Sequence, residues 1–432
     1  MQPQTQVEAA SADESQIQPE IAQHAGRTWA PAMLVGFRFA FAYFLLYRFP
    51  GLGKLWQALV TWTAAHVIHS SHPLLFAYNG STDRLNDYLQ NLLVLVFAVA
   101  AAAIWSVLDR RRGDYRYLHE WLRLYLRVLL GLALLSYGAS KVMKQQMSYP
   151  SPLVMLEPYG NSSPMGLLWA LMGYSTSYSV FAGLVEMVGG ALVLVPRLAT
   201  LGALVSAAAM ANVFMLNMSY DVPVKLFSFN LLLMSCFLLL PEAGRLVDFF
   251  VLNRPVTPAV APPLFRRKEL NAAMLSLQLL ILAAWSSLTL LGSYVANATY
   301  GDLAPRPPLY GIYNVDAFTV NGQLHPPLFT YEAGWRRVVF DTNNRFGIQK
   351  PDDSESVYSS KIDQKARTLV LSKRGDPKWK ATFSMDFSSP GLITLAGEMD
   401  GQQIKATLRK TNPDFLLNTR GFHWINDAPL LR

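Results

Sequence analysis

The segment 136–146, SYGASKVMKQQ, closes the apolar run LRLYLRVLLGLALL with two lysines and two glutamines. On a helix, Tyr137, Lys141, and Lys144 or Gln145 fall at i, i+4, i+7 and i+8 and share one face. A lysine withdrawn from water loses basicity and can then act as a base. A second acid–base candidate, Glu186, sits in AGLVEMVGGALVL, where Gly183, Gly189 and Gly190 permit close approach of a neighbouring helix. Ionisable groups within apolar helices are costly, so they pair or work. Glu186 stands eleven residues from Arg197, Arg127 eleven from Arg116 and Arg38 eleven from Arg27. Each is then roughly 16 Å deep at the helical rise. This predicts that Glu186 pairs with Arg127 or Arg38, either as a structural ion pair or in a cavity where Glu186 handles a proton or a polar ligand group.

A second set of polar residues is placed at the opposite end of the helices: Asn212, then Asn217, Tyr220, Asp221 and Lys225 in and around LNMSYDVPVK. With Tyr137, Lys141 and Gln145 these would wall an outward-opening pocket. The competing reading is a polar collar in which Lys141 and Lys144 reach for water at the interface; for Lys144 the spacing favours the collar.

These residues need helices to carry them. The chain has 432 residues, 52% hydrophobic and only 15% charged, where soluble domains carry nearer a quarter. The apolar excess lies in blocks of about 20 residues, enough to span a bilayer. They run over 32–49, 88–107, 119–143, 176–195, 198–217, 224–241 and 271–294. KLWQALVTWTAAHVIHS, between the first two, is amphipathic and suits a helix lying on the membrane surface. DRRRGDYR, Arg197 and the basic residues of 245–268 fall on one side of a seven-span topology. The positive-inside rule makes that side cytoplasmic. The expected layout is a disordered cytoplasmic tail over 1–30, a helical membrane domain over 31–250, a proline-rich cytoplasmic linker over 251–270, a last span over 271–294 and an outer domain over 305–432.

The outer domain alternates with period two in WRRVVFD, TLVLSKR, WKATFSMDF, LITLAGEM, QQIKATLRKT and FLLNTRGFHWI. This pattern predicts antiparallel strands, with an Asp-Gly hairpin turn in MDGQ. The fold class is thus an α-helical membrane bundle of about seven helices followed by an all-β antiparallel domain, up-and-down and able to close into a small barrel. Such a barrel holds a ligand or is filled by its own side chains; Arg420, His423 and Trp424 are the residues to test for the first case.

The net charge of +8 gathers beside the apolar blocks and serves orientation, not nucleic acid. The single cysteine, Cys236, excludes an internal disulfide and a CxxC pair. No metal or haem motif is visible: His66, His69 and His72 drift around a helix, and no span holds an interior histidine.

Residues 120–250 resemble the DoxX-like membrane proteins. The likeness is carried by LSYGASKVMKQQM, PYGNSSPMGLLWALMGYS, FAGLVEMVGGALVLVPRLATLGAL and NMSYDVPVKLFSFNLLLM. It implies a compact helical bundle in a bacterial inner membrane, with the chain crossing several times, and a link to quinone chemistry. The outer β domain makes this chain similar to a longer branch of that group. A fainter likeness is to the HTTM domain of vitamin K-dependent carboxylases, where a membrane lysine acts on a quinol. The residues themselves, in an apolar setting, offer Lys141 and Glu186 as the catalytic candidates. Arg38, Arg127, Tyr137, Gln145, Asn212, Asp221 and Lys225 would line a site for a quinone or similar lipid. The rival expectation is a non-enzymatic scaffold, anchored in the lipid bilayer, whose outer domain binds an extracytoplasmic protein partner or a lipid. A transporter is a third, without an evident inverted repeat.

Overall fold

The computed structural model describes residues 28–48, 53–72, 74, 76–77, 80–257, 264–325, 334–373, 375–387 and 391–431. The tail expected over 1–30 lies outside these as far as residue 27, and the linker expected over 251–270 does so at 258–263. The helices are α1 (Pro31–Arg48), α2 (Lys54–His66), α3 (Leu85–Leu108), α4 (Arg116–Val142), α5 (Pro152–Leu156), α6 (Pro164–Tyr174), α7 (Thr176–Leu194), α8 (Ala199–Ser219), α9 (Lys225–Leu239), α10 (Ala243–Phe250), α11 (Lys268–Tyr300) and α12 (Leu416–Thr419). Among the described residues, six helical segments are long and apolar enough to cross a membrane: α3, α4, α7, 196–219, 225–250 and α11. The first expected span forms a shorter apolar helix, Pro31–Tyr47. With 33 residues, α11 extends about 50 Å, well beyond a hydrocarbon core of about 30 Å.

The chain divides into two compact units, and the division passes through α4, α7 and α11. The first unit is helical. Its core is built on α4, where Leu122, Leu126, Leu130 and Leu134 recur every fourth residue and are wholly buried. A stripe of this spacing lies along one face of a helix. Phe37, Phe44, Leu89, Ala203 and Met234 join that core. Helix α2 contributes Trp56, Val60, Thr63 and Ala64 as its buried face.

The second unit contains residues 135–187, 219–221 and 283–432. Its main body is a closed antiparallel β-barrel of eight strands: β1 (Gly311–Val320), β3 (Arg337–Phe340), β4 (Arg345–Gln349), β5 (Glu355–Asp363), β6 (Thr368–Lys373), β7 (Asp376–Asp386), β8 (Leu392–Met399) and β9 (Gln402–Thr411). Each pairs with the next, β9 closes on β1, and β2 (Gln323–Leu324) adds a short arm to β1. The β8–β9 hairpin turns at Asp400 and Gly401, both at positive φ (51° and 77°), as an Asp-Gly turn of the primed type requires. Alternate side chains fill the interior, among them Phe340, Phe346, Leu369, Leu371, Phe383 and Leu395. The interior of this barrel is therefore a packed core.

Two expectations change here. FLLNTRGFHWI is not a strand: it forms α12 and an exposed coil. Arg420, His423 and Trp424 consequently stand outside the barrel, exposed. Conversely, β1, β4 and β5 lack a clean alternation in sequence. Strands β3 and β4 are buried on both faces, because the segment after α4 covers their outer side. There Leu153 packs on Ile312 and Val339, with Leu156 and Phe415 alongside. A Cβ on Gly347 would come within 2.1 Å of Leu153 Cδ2, so a larger residue there would force the Leu153 side chain to shift from its seat.

Candidate functional site

The site is set by a close approach of α4 and α7. A Cβ on Gly138 would lie 2.6 Å from the Gly183 carbonyl oxygen and 2.5 Å from Met187 Cγ; one on Gly183 would lie 2.6 Å from the Gly138 oxygen. Two turns earlier on α4, Gly131 faces the Gly190 oxygen and Leu194 in the same way. As the number rises on one helix it falls on the other, so the pair is antiparallel. Small residues let the backbones touch. Lys141 follows Gly138 by three residues, and Glu186 follows Gly183 by three. Helical side chains lean toward their own N-terminus, so in an antiparallel pair these two lean toward each other. Lys141 Nζ donates to Glu186 Oε2 at 2.9 Å. Lys141 is 7% exposed and Glu186 3%.

Other polar contacts of the second unit lie on the same stretch of α4. Lys141 Nζ lies 5.9 Å from the centre of the Tyr137 ring, and Tyr137 is itself 37% exposed. Ser140 Oγ donates to the Tyr137 carbonyl oxygen at 2.7 Å. Trp285 of α11 donates through Nε1 to Ser136 Oγ at 2.9 Å.

Lys144 departs from the water-reaching role the spacing favours. It ends α4 in a left-handed conformation (φ 55°), is buried, donates to the Gly173 carbonyl oxygen, and lies 4.0 Å from Asp302 Oδ2. Burial lowers its pKa below the ordinary lysine value, and the Asp302 carboxylate partly offsets this. Its role is to hold the segment between α4 and α7: Gly173 is in turn so close to Ser148 that a Cβ there would sit 2.1 Å from the Ser148 oxygen. The glutamine neighbour, Gln145, is exposed.

The expected partners of Glu186 lie elsewhere. Arg127 donates through Nε to the Val193 carbonyl oxygen at 2.7 Å, and through Nη2 to those of Leu194 at 2.9 Å and Gln278 Oε1 at 3.2 Å. Those carbonyls stand seven and eight residues along α7 from Glu186, or about 10–12 Å at the helical rise. Equal counts from the arginine turns misled because α4 begins well before α7 ends: Arg127, eleven residues into α4, is level with the last residues of α7. Arg38 donates to the Tyr115 hydroxyl at 3.0 and 2.9 Å, to Ser106 Oγ at 3.0 Å and to the Asp109 carbonyl oxygen at 2.9 Å. It ties α1 to the turn after α3.

The remaining candidates do not form one wall. Lys225 pairs with Asp83 at 3.7 Å in the first unit. Asp83 also accepts from the backbone N–H groups of Lys225 and Leu226 at 2.7 and 2.9 Å. That is how a carboxylate caps a helix start, and the role was missed because Asp83 lies far away in sequence. Asn212 is exposed on α8. Asp221 is exposed, in the second unit, at a turn with φ 50°. Asn217 is buried and donates to Ser228 Oγ at 2.9 Å.

A ligand oxygen that reached Lys141 would compete with Glu186 for the ammonium group, whose three N–H donors can serve both.

Among known proteins, the chain is similar to the uncharacterized protein YwoB of Bacillus subtilis (strain 168): 27% identical over 124 residues, which is 29% of this chain and 79% of that protein. No family model matches, and no solved structure matches.

Proposed function

We propose that this is a DoxX-like protein of a bacterial inner membrane that takes the polar head of a quinone or similar lipid at Lys141 and Glu186. The carrying observation is the ion pair itself: two groups of opposite charge, 2.9 Å apart and buried, on helices of membrane-spanning length. Lipid-depth ionisable residues are expensive and are commonly functional. The quinone class supplies two-electron redox chemistry when bound. Lys141 would donate to a head-group oxygen, Glu186 would hold or release the proton, and the half-exposed Tyr137 ring would flank the head. Electron transfer would need a partner protein or oxygen as acceptor. The arginine-rich loops favour a barrel on the outer side and, with the shorter α1 as a seventh crossing, a cytoplasmic N-terminus.

The alternative, a scaffold without catalysis, is favoured by one observation: the barrel interior is filled, so any partner would meet its outside. Titration with a short-chain quinone separates the two. Saturable binding that Lys141→Met and Glu186→Gln each weaken at least tenfold supports the site. Equal binding by both folded variants refutes it.

A further inference from the structure

The segment after the barrel carries a set of apolar side chains with nothing of the fold on them. Phe422, Trp424, Ile425 and Leu431 are between 77% and 91% exposed. They do not sit on a loose strand. Arg420 Nη2 donates to Asn426 Oδ1 at 2.5 Å, Asn426 Nδ2 donates to the His423 carbonyl oxygen at 3.2 Å, and Gly421 turns the chain at φ 67°. This turn displays Phe422 and Trp424 edge to face, 5.1 Å between ring centres. Exposed aromatic clusters of this kind mark interaction surfaces.

The occupant is argued from where the turn is anchored. Asn418 of α12 accepts from the Tyr149 hydroxyl at 2.8 Å, and the Tyr149 backbone N–H donates to Asp302 Oδ1 at 2.7 Å. Tyr149 is seven residues past the end of α4, and Asp302 is two past the end of α11. The turn is thereby tied to the ends of two membrane-length helices. Trp424 follows Asn418 by six residues, at most about 20 Å of chain. Tryptophan belts, flanked by polar groups such as Arg420, His423 and Asp427, favour the head-group region of a bilayer, where one side of the ring is apolar and the other wet.

We propose that residues 420–431 form an interfacial anchor that lies in the head-group layer of the leaflet at which α4 and α11 end. The anchor would hold α12, and through Phe415 the outer face of β1 and β3, at a fixed height above the lipid. This is independent of any ligand at Lys141, and requires only that the long helices cross the bilayer.

The test uses the full chain with Cys236→Ser, reconstituted in phosphatidylcholine nanodiscs. A spin label is placed at Ile425→Cys, which leaves Trp424 intact. Water and lipid references come from Lys378→Cys on the barrel and Leu280→Cys on α11, both exposed. At position 425, oxygen collisions should exceed those at 378 and nickel-chelate collisions should fall severalfold, between the two references. Collision rates equal to those at 378 would show a turn in water and overturn the proposal. Low collisions with both reagents would show a protein surface covering it, and would overturn it equally. A second sample with phosphatidylglycerol added should give the same depth; depth only with the anionic lipid would contradict an anchor built on aromatic burial.

Discussion

Lys141 and Glu186 join α4 to α7 by one hydrogen-bonded ion pair, directly beside the point where Gly138 and Gly183 bring the two backbones into contact. Removing one charge strands the other, which typically costs about 3–5 kcal/mol at a buried site. Lys141→Met should therefore lower the unfolding midpoint strongly. The double variant Lys141→Met/Glu186→Gln should recover much of the loss, because no unpaired charge remains. Thermal unfolding of all three in one detergent checks this; a double variant less stable than either single change would refute pairing as the dominant interaction.

The glycine contact makes a separate prediction. Gly138→Ala would drive a methyl into Met187 and the Gly183 carbonyl. Overpacking of this kind costs about 1–3 kcal/mol, and it would also pry the ion pair apart. Gly244→Ala, on α10 with open space around its Cα, should be neutral or slightly stabilising by helix propensity. Parallel melting curves of the two variants give the comparison.

On the barrel, Gly347→Ala should unseat α5 without unfolding the strands, since the methyl meets only Leu153. Leu153→Ala should reach the same state from the other side, costing about 2–5 kcal/mol of local stability. Hydrogen exchange should then rise in residues 150–157 and on β3 and β4, and stay slow on β7 and β8. Uniformly faster exchange would contradict a local docking role.

Glu355, on β5, has its carboxyl raised to about 7 by burial and then by the neighbouring carboxylates of Glu157, Asp341 and Asp353. Asp341 is held by Arg345 and Ser151, and Asp353 by Arg336. Because the folded value lies above the unfolded one, the folded state binds the extra proton. Its stability should fall as pH rises from about 4.5 through about 7. The barrel should melt at a higher temperature at pH 5.5 than at pH 8, and Glu355→Gln should flatten that difference. A wild-type barrel that is less stable at pH 5.5 while the variant is not would reverse the assignment.

Much of this was legible in the residues. Apolar blocks of lipid-spanning length located the helices, because composition alone decides what a bilayer accepts. Period-two runs and the Asp-Gly turn located most of the barrel. The face Tyr137–Lys141 and the glycines near Glu186 were also visible, since they are local. What escaped was register between helices: Glu186 was matched to Arg127 by counting from loops, but the helices start at different levels. The fate of Lys144 escaped too, because its carbonyl partner at Gly173 lies on a distant segment. Strand β4 hid for a related reason: covered on both faces, it loses its alternation.

The central claim is that the Lys141–Glu186 pair binds the head of a quinone-class lipid. Extraction and mass spectrometry of lipids from the purified full chain test it most directly. The account predicts a quinone near one per protein, lost from folded Lys141→Met and retained in Lys225→Met, whose ammonium pairs with Asp83. A wild-type preparation that carries no such lipid after reconstitution with quinone, or one whose bound quinone is untouched by Lys141→Met, would contradict it.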